Sequence, residues 1–336
     1  MNITRKLFLI WLAVICFLVP AAYAQQDYSA YLSPWETDVA AESRKAGELR
    51  FYFMSGEGLR MTNTTESFEK WGDSCLVVFP TGELMLIDAA MPDYTPVLVQ
   101  NLERMGVKKI DYLLISHPHG DHAGGIYAPD GIPEHFEIGK AFYNGTYNGD
   151  WNDPHMLEKI WDEHGIPREV ITEGWTMDIG EVHMQVISPS PDVIGQFYYN
   201  ATDVNNASIV LRMDFRDFSA LFTGDIYRAQ ENVLIKTKAD LLDVDLLKLA
   251  HHGHNTSNSK SFAQAVTPKL AVATGSVAVQ GYEYFNFTKL GAKVRFDYLD
   301  GYIRVRTDGE YLEWDQSRER ETDFYDVYEY ENLKNK

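Results

Sequence analysis

Between residues 115 and 125 the chain reads Ile115-Ser-His117-Pro-His119-Gly-Asp121-His122-Ala-Gly-Gly125, and few folds accommodate such a stretch. Three imidazoles and a carboxylate fall within six positions, directly behind the apolar run Tyr112-Leu-Leu-Ile-Ser116. Neutral imidazole and carboxylate are ligands for zinc and its borderline-soft neighbours. Two histidines one residue apart at a strand end, His117 and His119, can point the same way and grip one ion. Asp121 and His122 lie past the turn and face a second. Gly120, Gly124 and Gly125 let the backbone bend this tightly. A lone histidine behind an apolar run is usually a packed core residue, but this density of ligand types reads as a metal site.

The same device recurs downstream. The alternating segment Phe218-Ser-Ala-Leu-Phe-Thr223 ends in Gly224-Asp225, and Asp243 to Ala250 runs straight into His251-His252-Gly253-His254. Strands that end in carboxylate or imidazole beside glycine line up ligands along one rim of a sheet. Period-2 or apolar runs predict further strands at 49–54, 75–79, 84–88, 110–116, 141–143, 170–172, 181–187, 208–213, 270–274, 293–296 and 302–306. Pro80-Thr81-Gly82 turns the second into the third. Helical spacing and stop signals predict helices at 96–105, 155–164 and 229–238. His183 sits inside a strand alternation and reads as structural; Ser257, Asn258 and Ser259 read as loop structure. Residues 55–72, rich in Gly, Thr, Asn and Glu, read as a loop insertion.

The ends carry different information. Met1 to Ala24 has the form of a secretory signal: Arg5 and Lys6, an apolar stretch from Leu7 to Val19, and Ala22-Tyr23-Ala24 as the cleavage site. The stretch is short for a membrane span of about 20 residues, so cleavage after Ala24 and a secreted or periplasmic location are expected, with no span left in the mature chain. Cys16 leaves with this segment, and Cys75, in an apolar strand pattern, is expected to be buried and inert without a disulfide. Losing Arg5 and Lys6 takes the net charge from −19 to about −21. So acidic a surface repels polyanions and argues against nucleic acid as a partner.

His117-x-His119-x-Asp121-His122 resembles the hallmark loop of the metallo-β-lactamase superfamily. Gly72-Asp-Ser with Leu86-Ile-Asp88, Asn205-Asn-Ala-Ser208, Thr223-Gly-Asp225 and Leu247-Lys-Leu-Ala-His251-His252-Gly253 are similar to the branch found as the soluble domain of ComEC-type DNA-internalisation proteins, a likeness that extends to secreted phosphorylcholine esterases. The resemblance runs over about 49–310 and implies an α/β fold, a four-layer αββα sandwich with metals in a cleft at one edge of two sheets. It implies that His117 and His119 hold one ion, that Asp121, His122 and one of His251 and His252 (His252 preferred) hold the other, and that Asp225 bridges them. Asp88 is implied to steady the histidine loop from behind. Where many members add a third histidine at the first ion, this chain has Asn205, Asn206 and Ser208, which leaves that ion to be completed by water. The late Asn…His-Pro element of the branch is absent, its place reading Gly275-Ser-Val-Ala-Val-Gln-Gly-Tyr-Glu-Tyr-Phe285.

Two divalent ions, zinc first and manganese as the alternative, bridged by Asp225, imply a shared hydroxide oriented by Asp121 that attacks phosphorus or a carbonyl carbon. The expectation is an exported metal-dependent hydrolase of a phosphodiester or phosphoester, small or on a cell surface. The alternatives are a β-lactamase or lactonase, a ComEC-like nuclease, and a metal-stabilised surface protein without turnover. A cationic head group would suit aromatic side chains such as Trp151, Tyr198 and Tyr199. The expected organisation is a signal at 1–24, a loose lead-in at 25–48, the metallo-β-lactamase-like domain at 49–315 and a charged aromatic tail at 316–336.

Overall fold

The structure is a computed structural model that describes residues 28–56, 70–276 and 283–319. The expected signal segment, most of the 55–72 insertion, residues 277–282 and most of the tail lie outside these residues. Among the described residues no helix is long and apolar enough to cross a membrane.

The strands, in chain order, are β1 (Leu49–Phe53), β2 (Cys75–Val78), β3 (Leu84–Ile87), β4 (Lys109–Ile115), β5 (Glu137–Tyr143), β6 (Tyr147–Asn148), β7 (Arg168–Val170), β8 (Thr176–Ile179) and β9 (Val182–Ser188). They continue with β10 (Phe197–Tyr198), β11 (Val210–Phe215), β12 (Phe218–Phe222), β13 (Leu246–Lys248), β14 (Leu270–Ala273), β15 (Lys293–Phe296), β16 (Ile303–Thr307) and β17 (Glu313–Gln316). One sheet has the order β17-β16-β1-β2-β3-β4-β5-β7, the other β15-β14-β13-β12-β11-β9-β8, and β6 pairs with β10 apart from both.

Three apolar layers make this a four-layer α/β sandwich. Alternation along β1 sends Leu49, Phe51 and Phe53 between the sheets, where they meet Met184, Leu211, Met213 and Phe222. Tyr52, Leu76, Leu86 and Leu113 face the other way, against Val97, Leu98 and Leu102 of the helix Thr95–Arg104 and against Trp161. On the far side Leu221, Leu247 and Val294 pack on Leu234, Phe262 and Phe287. Strands covered on both faces read as continuous apolar runs, and burying each large side chain contributes roughly 1.5–3 kcal/mol. Cys75 is buried in the central layer, where burial pushes its thiol up.

The two sheets use one construction twice. β2 and β3 form an antiparallel hairpin, and β4 then joins β3 in parallel after a helix. β11 and β12 form the second hairpin, and β13 joins β12 in parallel after the helix Arg228–Thr237. The parallel pairing of β3 with β4 and of β12 with β13 presents the C-terminal ends of these strands at one edge, the usual place for a ligand site in such sheets.

The structure departs from the sequence reading at the margins. The expected lead-in contains the helix Val39–Ala46, capped by Asp38, with Val39 buried and the Ser43 hydroxyl donating to Phe79 O at 3.1 Å. Its apolar face is too narrow to show a period. β8 and β17 were not expected either; both are edge strands with partly exposed side chains, so neither carries an apolar run. The expected 315/316 boundary cuts through β17, where Gln316 still pairs with Ile303.

Candidate metal centre

Asp88 follows β3 and His117 follows β4; Asp225 follows β12, and His251 and His252 follow β13, so all five leave strand ends at the shared edge. Behind β4 the chain turns into the helix Gly120–Tyr127, which places Asp121 and His122 in its first turn. His117 Nε2 lies 3.0 Å from His119 Nδ1. Asp225 Oδ2 lies 3.1 Å from His122 Nε2, 3.3 Å from His252 Nε2 and 3.9 Å from His251 Nε2. His252 Nε2 is 2.9 Å from Asp121 Oδ2. Each predicted ligand is therefore in the cluster, and His252, buried, stands deeper than His251. His183 is elsewhere, on the β8–β9 hairpin beside Asp178 at 2.6 Å.

A further layer holds the rings by their other nitrogens. Asp88 accepts from Ser116 N at 2.7 Å and Ser116 Oγ at 2.8 Å, and its Oδ2 lies 2.8 Å from His122 Nδ1. Asp73 does the same for His252, with Oδ1 3.0 Å from Nδ1, while Thr274 O lies 2.9 Å from that nitrogen. The Lys248 ammonium pairs with Asp73, donates to Gly224 O at 3.1 Å and lies 3.5 Å from Asp225 Oδ1. Asp73, His122, Asp225 and His252 offer ligand atoms within 4.8 Å of one another. The Asp73 oxygens are nevertheless engaged by Lys248 and the back of His252, so Asp73 orients a ligand rather than acting as one. Asp88→Asn, unable to accept from all three groups, is expected to lower metal affinity by about 10- to 100-fold with secondary structure retained. Titration against a chelating dye beside circular dichroism measures both.

The backbone is bent to make this possible. His251 and His252 have φ of 49° and 56°, left-handed values that cost a non-glycine residue about 1–3 kcal/mol each. Asn258 clamps the turn: its Oδ1 accepts from Ala250 N at 3.1 Å and its Nδ2 donates to Ala250 O at 2.8 Å. The buried Glu231 carboxylate accepts from the amides of Asn258 and Ser259, which ties the clamp to the helix below. Gly72 has φ of 85°, and a Cβ there would stand 2.2 Å from Asp121 O, so only glycine lets the Asp73 segment pass.

The family model described as the metallo-β-lactamase superfamily matches residues 71–128. Competence protein ComA of Neisseria gonorrhoeae is 30% identical over 183 residues, 54% of this chain and 22% of the relative. ComE operon protein 3 of Bacillus subtilis (strain 168) is 27% identical over 177 residues, 52% of this chain and 21% of the relative. The chain thus spans about a fifth of the length of these curated relatives. Among solved structures, a mutant of CmlA β-hydroxylase superposes with a TM-score of 0.50 at 14% identity, covering 77% of this chain and 54% of that one. The chain has the metallo-β-lactamase fold. Its relatives include ComEC-like competence proteins.

The residues of this metallo-β-lactamase fold fit divalent ions. His122 Nε2 is buried and faces Asp225 Oδ2 at 3.1 Å without a well-aligned hydrogen bond, while its Nδ1 is anchored. Lys70 places its ammonium 2.6 Å from Asp121 Oδ2, a cation against the carboxylate predicted to be a ligand. Burial drives the His117 imidazole well below its ordinary value, with the charges of His122 and His119 adding to this, so the ring is neutral and ready to coordinate. Burial lowers His119 too. His122 behaves oppositely: burial works to lower it, but Asp225, Asp88 and Asp121 outweigh that and push it up to about 10.

The centre opens into a cleft of about 420 Å³ whose walls include Lys70, Asn148, Trp151, Tyr227, His251 and His254. Of the aromatic residues expected at a head-group site, Trp151 lines this cleft. Tyr198 lies on β10, and Tyr199 is exposed against Gly149. Asp73, Lys248, Lys70 and His254 were not among the expected site residues. Asp73 shares the Gly-Asp dipeptide of Gly224-Asp225, but before its strand rather than after it, and Lys248 is a lysine inside an apolar strand run.

Proposed function

We propose that the protein is an exported, metal-dependent hydrolase of phosphodiesters or phosphoesters. The observation that carries the reading is the ligand cluster at the floor of an open cleft: Asp225 against His122 and His252, Asp121 against His252, and the His117–His119 pair beside them, with the His117 ring 4.1 Å from that of His122. Divalent ions held there, zinc first and manganese as the alternative, would lower the pKa of water and neutralise charge developing on a phosphoryl oxygen. Asp121 and Asp225 fix the donor geometry; Asp88 and Asp73 fix the ring orientations. Lys70, Asn148 and Asn205 on the cleft wall give it the polar, partly cationic lining that a phosphoryl group needs. The form of residues 1–24 supports export.

Mature protein supplied with Zn or Mn is expected to hydrolyse bis-(p-nitrophenyl) phosphate and to lose that activity with a chelator. A protein that binds two ions yet turns over no phosphodiester with either metal would end this reading, and turnover of a chromogenic lactam in the same assay would put carbonyl substrates first.

A further inference from the structure

We propose that the side-chain oxygen of Asn205 is a further ligand of the first ion, in the role left open by the absence of a third histidine. The inference rests on the reading of the centre as a two-ion site. Asn205 is 1% exposed, and its Oδ1 has no hydrogen-bond partner among the described residues. It lines the reaction cleft together with His119 and Asp225.

Its place in the chain puts it on the first ion's side. Asn205 belongs to the last turn of the helix Ala201–Asn206, and its carbonyl accepts from Ser208 N at 2.9 Å. Ser208 Oγ in turn accepts from Asp225 N at 3.0 Å and lies 3.2 Å from His117 Nδ1. Asn206 Oδ1 accepts from Tyr227 N at 3.0 Å. The turn 205–208 is thereby sewn to His117 at one end and to the Asp225–Tyr227 segment at the other.

A buried acceptor of this kind is costly unless a donor or cation meets it. Phosphoryl oxygens are themselves acceptors and cannot do so; a metal ion can. The donor set of the first ion is then the imidazoles of His117 and His119 with oxygens from Asp225 and Asn205. An amide oxygen in place of a third imidazole makes the site harder and favours Mn over Zn relative to a three-histidine site.

Counting bound Mn by the electron-spin-resonance signal of the free ion tests this without any substrate. Wild type is expected to take up two ions. Asn205→Ala should keep one and bind the other at least about 10- to 100-fold more weakly, the loss typical when even an outer partner is removed. Asn205→Asp, which restores an oxygen, should bind two again, and Asn205→His should bind two but shift the first ion's Zn/Mn preference towards Zn. Two ions bound by Asn205→Ala as tightly as by wild type would overturn the proposal. So would a loss of both ions in Asn205→Ala that Asn205→Asp does not repair. No ion bound by wild type would remove the two-ion reading and this inference together.

Discussion

Asp225→Ala is expected to lower phosphodiester turnover by roughly 10³-fold or more, about 4 kcal/mol of transition-state stabilisation. The size follows from position. One carboxylate oxygen lies within 3.3 Å of Nε2 of both His122 and His252, and the residue's amide is tied to His117 through Ser208. No other described acid in the centre lies as close to Nε2 of both rings: Asp121 is 2.9 Å from His252 but 3.7 Å from His122, while Asp73 and Asp88 stand behind rings. The variant should also bind fewer than two ions. The fold should survive, because Lys248 keeps Asp73 as its partner and the apolar layers do not involve Asp225. Rates with bis-(p-nitrophenyl) phosphate, metal content by mass spectrometry and circular dichroism together decide the matter. Wild-type turnover in this variant would remove Asp225 from the chemistry.

The legible part of the molecule is the part buried on both sides. β1 to β4 and β11 to β14 carry apolar runs because helices cover one face of each sheet and the opposite sheet covers the other. The ligand stretches were visible for a related reason: each follows such a run, where polar residues and glycine interrupt it abruptly. Where a segment touches the core with one or two side chains, as Val39 and Ser43 do, no period forms and a helix passes for a loop. The edge strands β8 and β17 fail in the same way.

The outer layer of the centre was half legible. Asp88 ends a strand, as the ligands do, and its supporting place was expected from the family pattern. Asp73 lies 44 residues before His117 and precedes its strand. Only the antiparallel turn of β2 against β3 brings its end to the shared edge. Lys248 reads as an irregularity in an apolar run, and its meaning appears only when Asp73 and Asp225 are seen around it. The Asn258 clamp is a tertiary feature as well, since the left-handed pair His251–His252 cannot be inferred from residue type.

Without metal, the protein is expected to be least stable at alkaline pH, and restoring the ions should remove that weakness. The metal-free centre is held by imidazolium–carboxylate pairs. Burial opposes charge on His252, but Asp225 and Asp73 raise it well above its ordinary value, and His122 is pushed up to about 10. A group whose folded pKa is raised contributes fully below its unfolded value, about 6.5 for histidine, and loses that contribution as pH rises towards the folded pKa. Burial also works to raise Asp121 and Asp225, yet Lys70 and His122 respectively lead the charges that hold them well below the carboxylate range. Their contribution is present above about pH 4 and fades below it. The metal-free melting temperature should therefore be highest between about pH 4 and 6.5 and fall from there to pH 10. Ions replace the two protons, so the loaded protein should melt with little change over the same range. The ion bound by His122 and His252 must displace both protons, and its apparent affinity should rise about 100-fold per pH unit near neutrality. The ion bound by the neutral His117 and His119 should show almost no such slope. Calorimetric scans at pH 6, 8 and 10 with and without metal, and metal titrations at the same values, make the comparison. A metal-free melting temperature that stays flat or rises to pH 10 would show that His122 and His252 are neutral in the empty centre, and ion binding there would then release no protons.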